Sequence, residues 1–251
     1  MGENIVGDKP NTQMKPLGDS GILVQFGTEI SPDVHEEVKA FTDCIEANSF
    51  PGFIECVPAF TSVTIFYSPL LVFQIYKGKG KPEDLSPYSI VQSILQERLK
   101  SLHTSKRREK RVVDIPVCYG GELGPDLETV AKYHQLTPAE VIDIHSQAEY
   151  LVYMIGFAPG FPYLGGMSEQ IATPRHSSPR LSIPAGSVGI AGMQTGVYPI
   201  STPGGWQIIG RTPINLFYPD KNPPTLLTSG DIVRFKPISI EEYKEYKETV
   251  L

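Results

Sequence analysis

From Tyr150 onward, glycine and proline recur every few residues between short segments that favour β-structure. Residues 187–190 and 231–235 are two such segments, and each is followed closely by a glycine or a proline. Glycine and proline interrupt helices and mark tight turns, so helices are not expected in this half of the chain before the tail, where residues 240–250 are predicted to form a final charged helix or a frayed end. Many short strands joined by tight turns predict a β-barrel or a β-sandwich.

The first hundred residues carry alternating strand and helix signals instead. Residues 21–26 are predicted to form a strand, and the Ser-Pro pair that begins at Ser31 opens an amphipathic helix. Two β-rich runs follow at residues 53–57 and 62–67, and a second Ser-Pro pair at Ser86 opens another helix. The order strand, helix, strand, strand, helix predicts a small α/β domain of split-βαβ type.

A basic run, KRREKR at residues 106–111, separates the two halves. Such a run can bind nucleic acid or a partner, but short charge runs more commonly form exposed linkers between domains. A length of 251 residues also suits two domains. We therefore predict an α+β chain with an N-terminal α/β domain over residues 1–105 and a β-barrel domain over residues 106–251.

Charge and cysteine content narrow the class of protein further. The formal net charge is −6 and the pI is near 5.4, which argues against nucleic-acid binding because phosphates need a basic face. The three cysteines are widely spaced and fit neither a disulfide framework nor a zinc site, so we expect reduced thiols in the cytoplasm. We find neither a signal-peptide-like start nor the ~20 consecutive apolar residues of a membrane span, and predict no membrane association.

The segment GFAPGFPYLGGM at residues 156–167 sets two phenylalanines and a tyrosine among four glycines and two prolines. One interpretation is that the glycines allow tight turns while the rings fill a core. The other is a loop that presents flat apolar faces around a ligand. The segment matches neither GxxxxGK[ST] nor GxGxxG, so it does not predict phosphate binding. As a pocket loop it would contribute the following substrate-binding residues: Phe157, Pro159, Gly160, Phe161 and Tyr163.

Three long segments carry a family resemblance. They read YGGELGPDL at residues 119–127, ATPRHSSPRLSIPAGSVGIAG at 172–192, and MQTGVYPISTPGGWQIIGRTP at 193–213. Together they resemble the family of the 5-oxoprolinase B subunit, also described as the KipI or allophanate hydrolase subunit 1 family. The resemblance extends more loosely into the first domain through PLGDSGILVQF.

This resemblance implies a cyclophilin-like β-barrel preceded by an α/β domain. It also implies membership of an ATP-dependent 5-oxoprolinase, which opens 5-oxo-L-proline to L-glutamate. Such a chain works with two partners: a homologous C subunit and a third subunit, called the A subunit. ATP is then a co-substrate that carries Mg2+, and no bound metal is expected in this chain. Fused relatives form part of urea-degrading enzymes. One branch of the family inhibits a sporulation histidine kinase, which is the alternative function.

The proposed substrate class sets chemical demands on the site. 5-Oxoproline is a small lactam anion, so its carboxylate needs a guanidinium partner and its flat ring needs an apolar wall. Arg175, Arg180 and Arg211 are the candidates for the carboxylate, although ordinary surface ion pairs explain the first two equally well. Arg175 is also a candidate catalytic residue, and Trp206 either walls the pocket or closes the barrel end. Two further binding candidates lie in the third segment: Gln194 and Thr195.

Two histidines are candidate catalytic residues. His176 lies in a loop beside Arg175, and the neighbouring charge favours a neutral imidazole that can act as a base. His145 lies on a predicted helix, where it is either a proton carrier or a satisfied, half-buried histidine.

Ring opening also develops negative charge, which backbone amides can stabilise. The amides of Gly160, Gly186 and Gly205 are the candidate donors. Glu122 and Asp126 fall near a predicted helix start, where the helix dipole favours acidic residues, so we assign them no catalytic role.

Overall fold

The computed structural model describes residues 12–77, 86–102 and 110–249. The chain divides into two compact units, residues 1–109 and 110–251. Most of the basic run predicted as a linker, residues 106–109, lies outside the described residues. Arg111 is described, and its guanidinium bonds to Asp231 and to the Leu226 carbonyl at 2.8 Å, so it is anchored to the second unit.

The first unit contains a four-stranded sheet in the order β1-β2-β4-β3. Strand β4 lies between β2 and β3 and is antiparallel to both, so helix α1 connects two strands that run in the same direction. The elements of this unit are β1 (Gln13–Pro16), β2 (Gly21–Gln25), α1 (Pro32–Ala47), β3 (Phe53–Pro58), β4 (Ser62–Tyr67), α2 (Pro69–Tyr76) and α3 (Pro87–Ser101).

The core of the first unit lies between the sheet and its helices. Val24 on β2 and Val63 and Ile65 on β4 have no solvent exposure, because alternate residues of each strand point to the same face. Phe41 on α1 and Leu95 on α3 belong to the same buried cluster. The sheet therefore buries one apolar face under amphipathic helices.

Helices α1, α2, α3 and, in the second unit, α5 (Pro138–Gln147) begin in the same way. A serine or threonine side chain caps the helix and a proline occupies the first turn, where its missing N–H is not needed. The Ser31 hydroxyl accepts from the Val34 amide at 3.2 Å. Thr137 forms a reciprocal capping box with Glu140, whose carboxylate accepts from the Thr137 amide at 2.7 Å.

The second unit is built around a closed barrel of seven strands in the order β10-β7-β6-β13-β5-β12-β9. Strands β8 and β11 form a separate two-stranded sheet, and a short 3-10 helix spans Glu169–Ile171. The elements are β5 (Val112–Tyr119), α4 (Leu127–His134), α5 (Pro138–Gln147), β6 (Tyr150–Ile155), β7 (Pro162–Gly165), β8 (Arg180–Ile183), β9 (Ser187–Ala191), β10 (Gln194–Val197), β11 (Thr202–Gly204), β12 (Gln207–Arg211), β13 (Ile232–Pro237) and α6 (Ile240–Thr249).

The last strand closes the barrel. Strand β13 lies between β5 and β6, and it is parallel to β5, with Ile232 opposite Val112 and Pro237 opposite Val117. The prediction of a mixed α/β chain with a barrel is confirmed, and the alternative of a sandwich is removed by ring closure.

Candidate active site

Asp126 is the centre of a polar cluster on the barrel unit. Its carboxylate accepts from Arg180 Nη2 at 2.7 Å and from the Ile208 amide at 2.6 Å, and His176 Nε2 lies 3.3 Å from Oδ2. The Asp126 amide also donates to the Ile208 carbonyl at 2.8 Å. The start of α4, the segment before β8 and strand β12 therefore meet at one buried carboxylate.

The environment keeps the Asp126 carboxylate charged. Burial would raise its pKa, but the hydrogen bonds from Arg180 and the Ile208 amide, together with the His176 ring 3.3 Å away, outweigh burial and hold the pKa below its usual value. Asp126 occupies the N-cap position of α4, so the predicted place at a helix start is confirmed, but its side chain does not cap the helix. The residue instead connects parts of the chain that are distant in sequence.

The loop that carries His176 is fastened on both sides of Trp206. The His176 amide donates to the Gly205 carbonyl at 2.7 Å. One residue after Trp206, the Gln207 side chain donates to the Pro174 carbonyl at 2.9 Å. The loop therefore has a fixed position relative to the indole ring.

Arg175 presents an exposed cation beside this ring. Its guanidinium carbon lies 5.9 Å from the centroid of Trp206, a cation–π distance. Among the described residues Arg175 forms no ion pair, whereas Arg180 is paired with Asp126. Of the two arginines, Arg175 is therefore the one whose charge is available to an anion.

Trp206 packs in an aromatic cluster outside the main barrel core. Its ring meets Phe161 at 5.6 Å and Tyr198 at 6.0 Å, both edge-on, and it is 7% exposed. A Cβ atom on Gly189 or Gly196 would lie 3.2 Å from Trp206 atoms, so these glycines make room for the indole. The ring is a wall on the side of the barrel and does not fill the barrel interior.

The predicted aromatic loop continues this wall. Phe157 is 69% exposed and has a φ of 65°, a left-handed conformation that is strained for a phenylalanine. Its ring contacts Phe161 edge-on at 5.4 Å, and Phe161 contacts Tyr163 at 5.3 Å. Pro159 and Gly160 line an open depression of about 400 Å³ beside Phe157. Part of the loop thus fills a core and part borders a surface depression.

His145 has a different environment. It has no solvent exposure, its Nδ1 lies 2.7 Å from the Tyr119 hydroxyl, and its Nε2 lies 2.8 Å from Thr195 Oγ1. The ring stacks on Phe235 at 4.6 Å. Burial lowers the pKa of His145 to about 3. Both nitrogens are occupied within the protein, which favours the satisfied-histidine interpretation over a proton carrier.

The remaining candidates lie apart from the Asp126 cluster. Thr195 is fully buried beside His145, and Gln194, its neighbour on β10, is opposite Ala191 in a hairpin. Arg211, at the far end of β12 from Trp206, hydrogen-bonds to Tyr243. The structure therefore does not assemble a three-arginine fork.

One predicted amide donor is already used. The Gly186 amide donates to the Tyr198 carbonyl at 2.7 Å, so it is not available to a developing oxyanion, contrary to our prediction. Gly205 lies within the Asp126 cluster through its bond to His176.

The described residues contain no group of three or more His, Cys, Asp or Glu side chains placed to hold a metal ion. No helix in the described ranges is long and apolar enough to cross a membrane.

Comparison with known proteins defines the class. Residues 12–227 match the family described as carboxyltransferase domain, subdomain C and D, and the chain belongs to this family. It is 59% identical to the B subunit of 5-oxoprolinase from Bacillus subtilis (strain 168), over 94% of this chain and 97% of that protein. It is 57% identical to the corresponding B subunit of 5-oxoprolinase from Haemophilus influenzae, over 90% of this chain and 98% of that protein. The resemblance stated from the sequence is confirmed.

A solved structure shares the fold. The protein TTHA0988 superposes with a TM-score of 0.73 at 32% identity. The match covers 87% of this chain and 40% of TTHA0988, so this chain spans less than half of that protein.

Proposed function

We propose that this chain is the B subunit of an ATP-dependent 5-oxoprolinase, which converts 5-oxo-L-proline to L-glutamate with hydrolysis of ATP. The observation that carries the proposal is 59% identity over nearly the whole length of a relative named as the B subunit of 5-oxoprolinase. In this proposal the chain acts in the cytoplasm with a homologous C subunit, and with the A subunit, the third component. It is inactive without them.

The Arg175 and Trp206 pair is the proposed substrate-binding surface. A lactam anion has one carboxylate and one flat ring, and here an available guanidinium lies beside a fixed indole face. Arg180 would support this surface without binding the substrate carboxylate itself, because its guanidinium is already paired with Asp126. Phe157 and the loop after it would border the ring of the substrate.

ATP enters the proposal as a co-substrate. A lactam is stabilised by resonance, so phosphorylation of its carbonyl oxygen makes ring opening feasible. Mg2+ would be bound to the phosphates of ATP, because proteins usually hold this ion through the substrate phosphates and few ligands of their own. The sequence contains no recognised phosphate-binding loop, and we propose that the two partners contribute to the ATP site.

The barrel is proposed to be cyclophilin-like, and the strand order of the first unit supports a split-βαβ domain. We place the domain boundary between residues 105 and 106, at the start of the basic run.

Inhibition of a histidine kinase is the competing function for this family. Such an inhibitor needs a docking surface and does not need a buried ion pair next to an available cation. The cluster of Asp126, Arg180 and His176 beside Arg175 therefore favours the enzyme.

The test is glutamate release from 5-oxoproline and ATP by the reconstituted mixture of all three proteins. Omission of this chain should abolish turnover. Arg175→Ala should raise the KM for 5-oxoproline about tenfold or more, the loss expected for one charged hydrogen bond. Arg234→Ala is the matched control, because it also removes a partly exposed arginine, one paired with Glu149. Undiminished turnover without this chain would reject the proposal.

A further inference from the structure

His176 is oriented with one nitrogen inward. Its Nε2 atom is shielded from solvent and forms no hydrogen bond of good geometry in the structure, although the side chain as a whole keeps 30% exposure. The shielded nitrogen lies 3.3 Å from Asp126 Oδ2. The rest of the imidazole is therefore on the outer side, towards solvent.

The carboxylate that faces Nε2 cannot move easily. Arg180 holds one of its oxygens at 2.7 Å, and the Ile208 amide holds the other at 2.6 Å. The backbone of Asp126 is tied to Ile208 as well. Because strand β12 is part of the barrel, the position of the carboxylate is set by the barrel.

A fixed carboxylate selects one form of a neutral histidine. A carboxylate only accepts hydrogen bonds, so the nitrogen that faces it must carry the proton. A neutral imidazole has one N–H, and the other nitrogen keeps a lone pair. Here the proton belongs on Nε2 and the lone pair on Nδ1.

We propose that Asp126 is a positioning residue for the reaction, holding His176 so that its Nδ1 lone pair is the base that takes the lactam proton. This inference rests on the proposed function and specifies the proton transfer within the same site. Arg175, the next residue in the chain, would hold the substrate carboxylate nearby.

The proton transfer accompanies activation of the lactam by ATP. The lactam oxygen forms a bond to the γ-phosphorus of ATP, and the bond from that phosphorus to the bridging oxygen of ADP breaks. The proton on the lactam nitrogen passes to His176 Nδ1, and the electron pair of that N–H bond becomes the second bond of a C=N group. The products of this step are ADP, a cyclic imidate phosphate and protonated His176.

The first test needs neither partners nor activity. In the full chain labelled with 15N-histidine, nitrogen chemical shifts report which ring nitrogen carries the proton, and His176→Gln identifies the signal. We expect neutral His176 to carry its proton on Nε2 in the wild-type chain. Asp126→Asn should change the ratio of the Nε2-protonated form to the Nδ1-protonated form. A wild-type His176 protonated on Nδ1 overturns the proposal, even if Asp126→Asn fails to fold.

The second test is kinetic and uses the reconstituted mixture. Asp126→Asn should lower kcat about 100-fold or more, the contribution of a well-placed base, and Asp126→Glu should restore part of it. Asp231→Asn is the matched control, because it neutralises another buried carboxylate that is paired with an arginine, Arg111, and does not contact His176; its loss of kcat should be clearly smaller. An Asp126→Asn chain that folds, assembles and turns over at the wild-type rate overturns the proposal.

The two ideas fail separately. If wild-type mixtures release no glutamate, the proposed function fails, whatever the tautomer of His176. If they release glutamate and Asp126→Asn does so equally well, only the role of Asp126 fails.

Discussion

The side chains of His145 and Thr195 share a hydrogen bond of 2.8 Å in the buried part of the barrel unit. The Thr195 hydroxyl also donates to the Gly189 carbonyl at 3.0 Å, so it must accept from His145. The proton of the imidazole is therefore on Nε2, and Nδ1 accepts from the Tyr119 hydroxyl. A third ring, Phe235, covers one face of the imidazole.

This arrangement predicts acid sensitivity. The folded pKa of His145 is about 3, below the value near 6.5 of an unfolded histidine. Between those values the unfolded chain binds a proton that the folded chain does not, so stability falls as the pH falls. From pH 7 to pH 5 this site should remove about 2 kcal/mol from the free energy of unfolding.

Urea denaturation at several pH values measures this loss. His145→Gln should be less stable at pH 7, since it disturbs a buried network, but its stability should fall less steeply towards pH 5. Equal slopes for the two proteins would show that His145 is not the group responsible.

Asp126 predicts a separate effect at lower pH. Its folded pKa is depressed, so its contribution to stability is complete above the unfolded value near 3.9 and is lost as the pH falls through the folded value. Asp126→Asn should lower the melting temperature at pH 7 and should flatten the decline below about pH 4. The exposed Asp220→Asn serves as the control and should leave both unchanged.

Gly196→Ala tests the packing of the aromatic wall. A Cβ atom there would lie 3.2 Å from the Trp206 ring and 3.3 Å from both Phe161 and the Pro162 carbonyl. Because neighbours crowd the new atom from two sides, we expect a loss of about 1–3 kcal/mol. Trp206 is the only tryptophan, so its fluorescence emission should shift to the red as the ring is displaced.

The matched control for this substitution is Gly156→Ala. A Cβ atom at Gly156 would meet its nearest neighbours at 3.5 and 3.7 Å, which are ordinary contact distances. If Gly156→Ala and Gly196→Ala shift the Trp206 emission equally, close packing at Gly196 is not what places the indole.

Phe157 predicts a reversal of the usual order of alanine and glycine. At a φ of 65° a left-handed conformation costs about 1 kcal/mol for any residue with a Cβ atom. Phe157→Gly should therefore be more stable than Phe157→Ala by about 1 kcal/mol in urea denaturation. At the exposed Tyr133 on helix α4 the order should be the opposite, because glycine is a poor helix residue.

Local signals predicted much of the secondary structure. The Ser-Pro pairs at Ser31 and Ser86 and the Thr-Pro pair at Thr137 each begin a helix, because a cap depends on residues only three positions apart. Helix α2 begins in the same way at Ser68, but its nearly continuous apolar sequence lacks a helical period. Strand β1 is short and largely exposed, so no alternation marked it.

The Asp126 cluster could not be predicted, because its residues are distant in sequence and no local pattern indicates their contacts. Arg180 is 54 residues from Asp126 along the chain, and Ile208 is 82 residues from it. The sequence suggested that Arg175, His176 and Arg180 lie close together in one loop. It could not reveal that Asp126 pairs with Arg180 and leaves Arg175 available. The sequence also could not show that Arg211 lies at the far end of β12 from Trp206.

The position of β13 in the barrel determines when the barrel can close during synthesis. Strands β5 and β6 do not pair with each other, and β13, which pairs with both, follows all the other described strands of the barrel in the sequence. A nascent chain that stops before Ile232 therefore leaves both strands with unpaired edges, and such edges invite association with other chains. Ring closure must therefore wait for β13, and the barrel should become resistant to proteases only after residue 237 has left the exit tunnel.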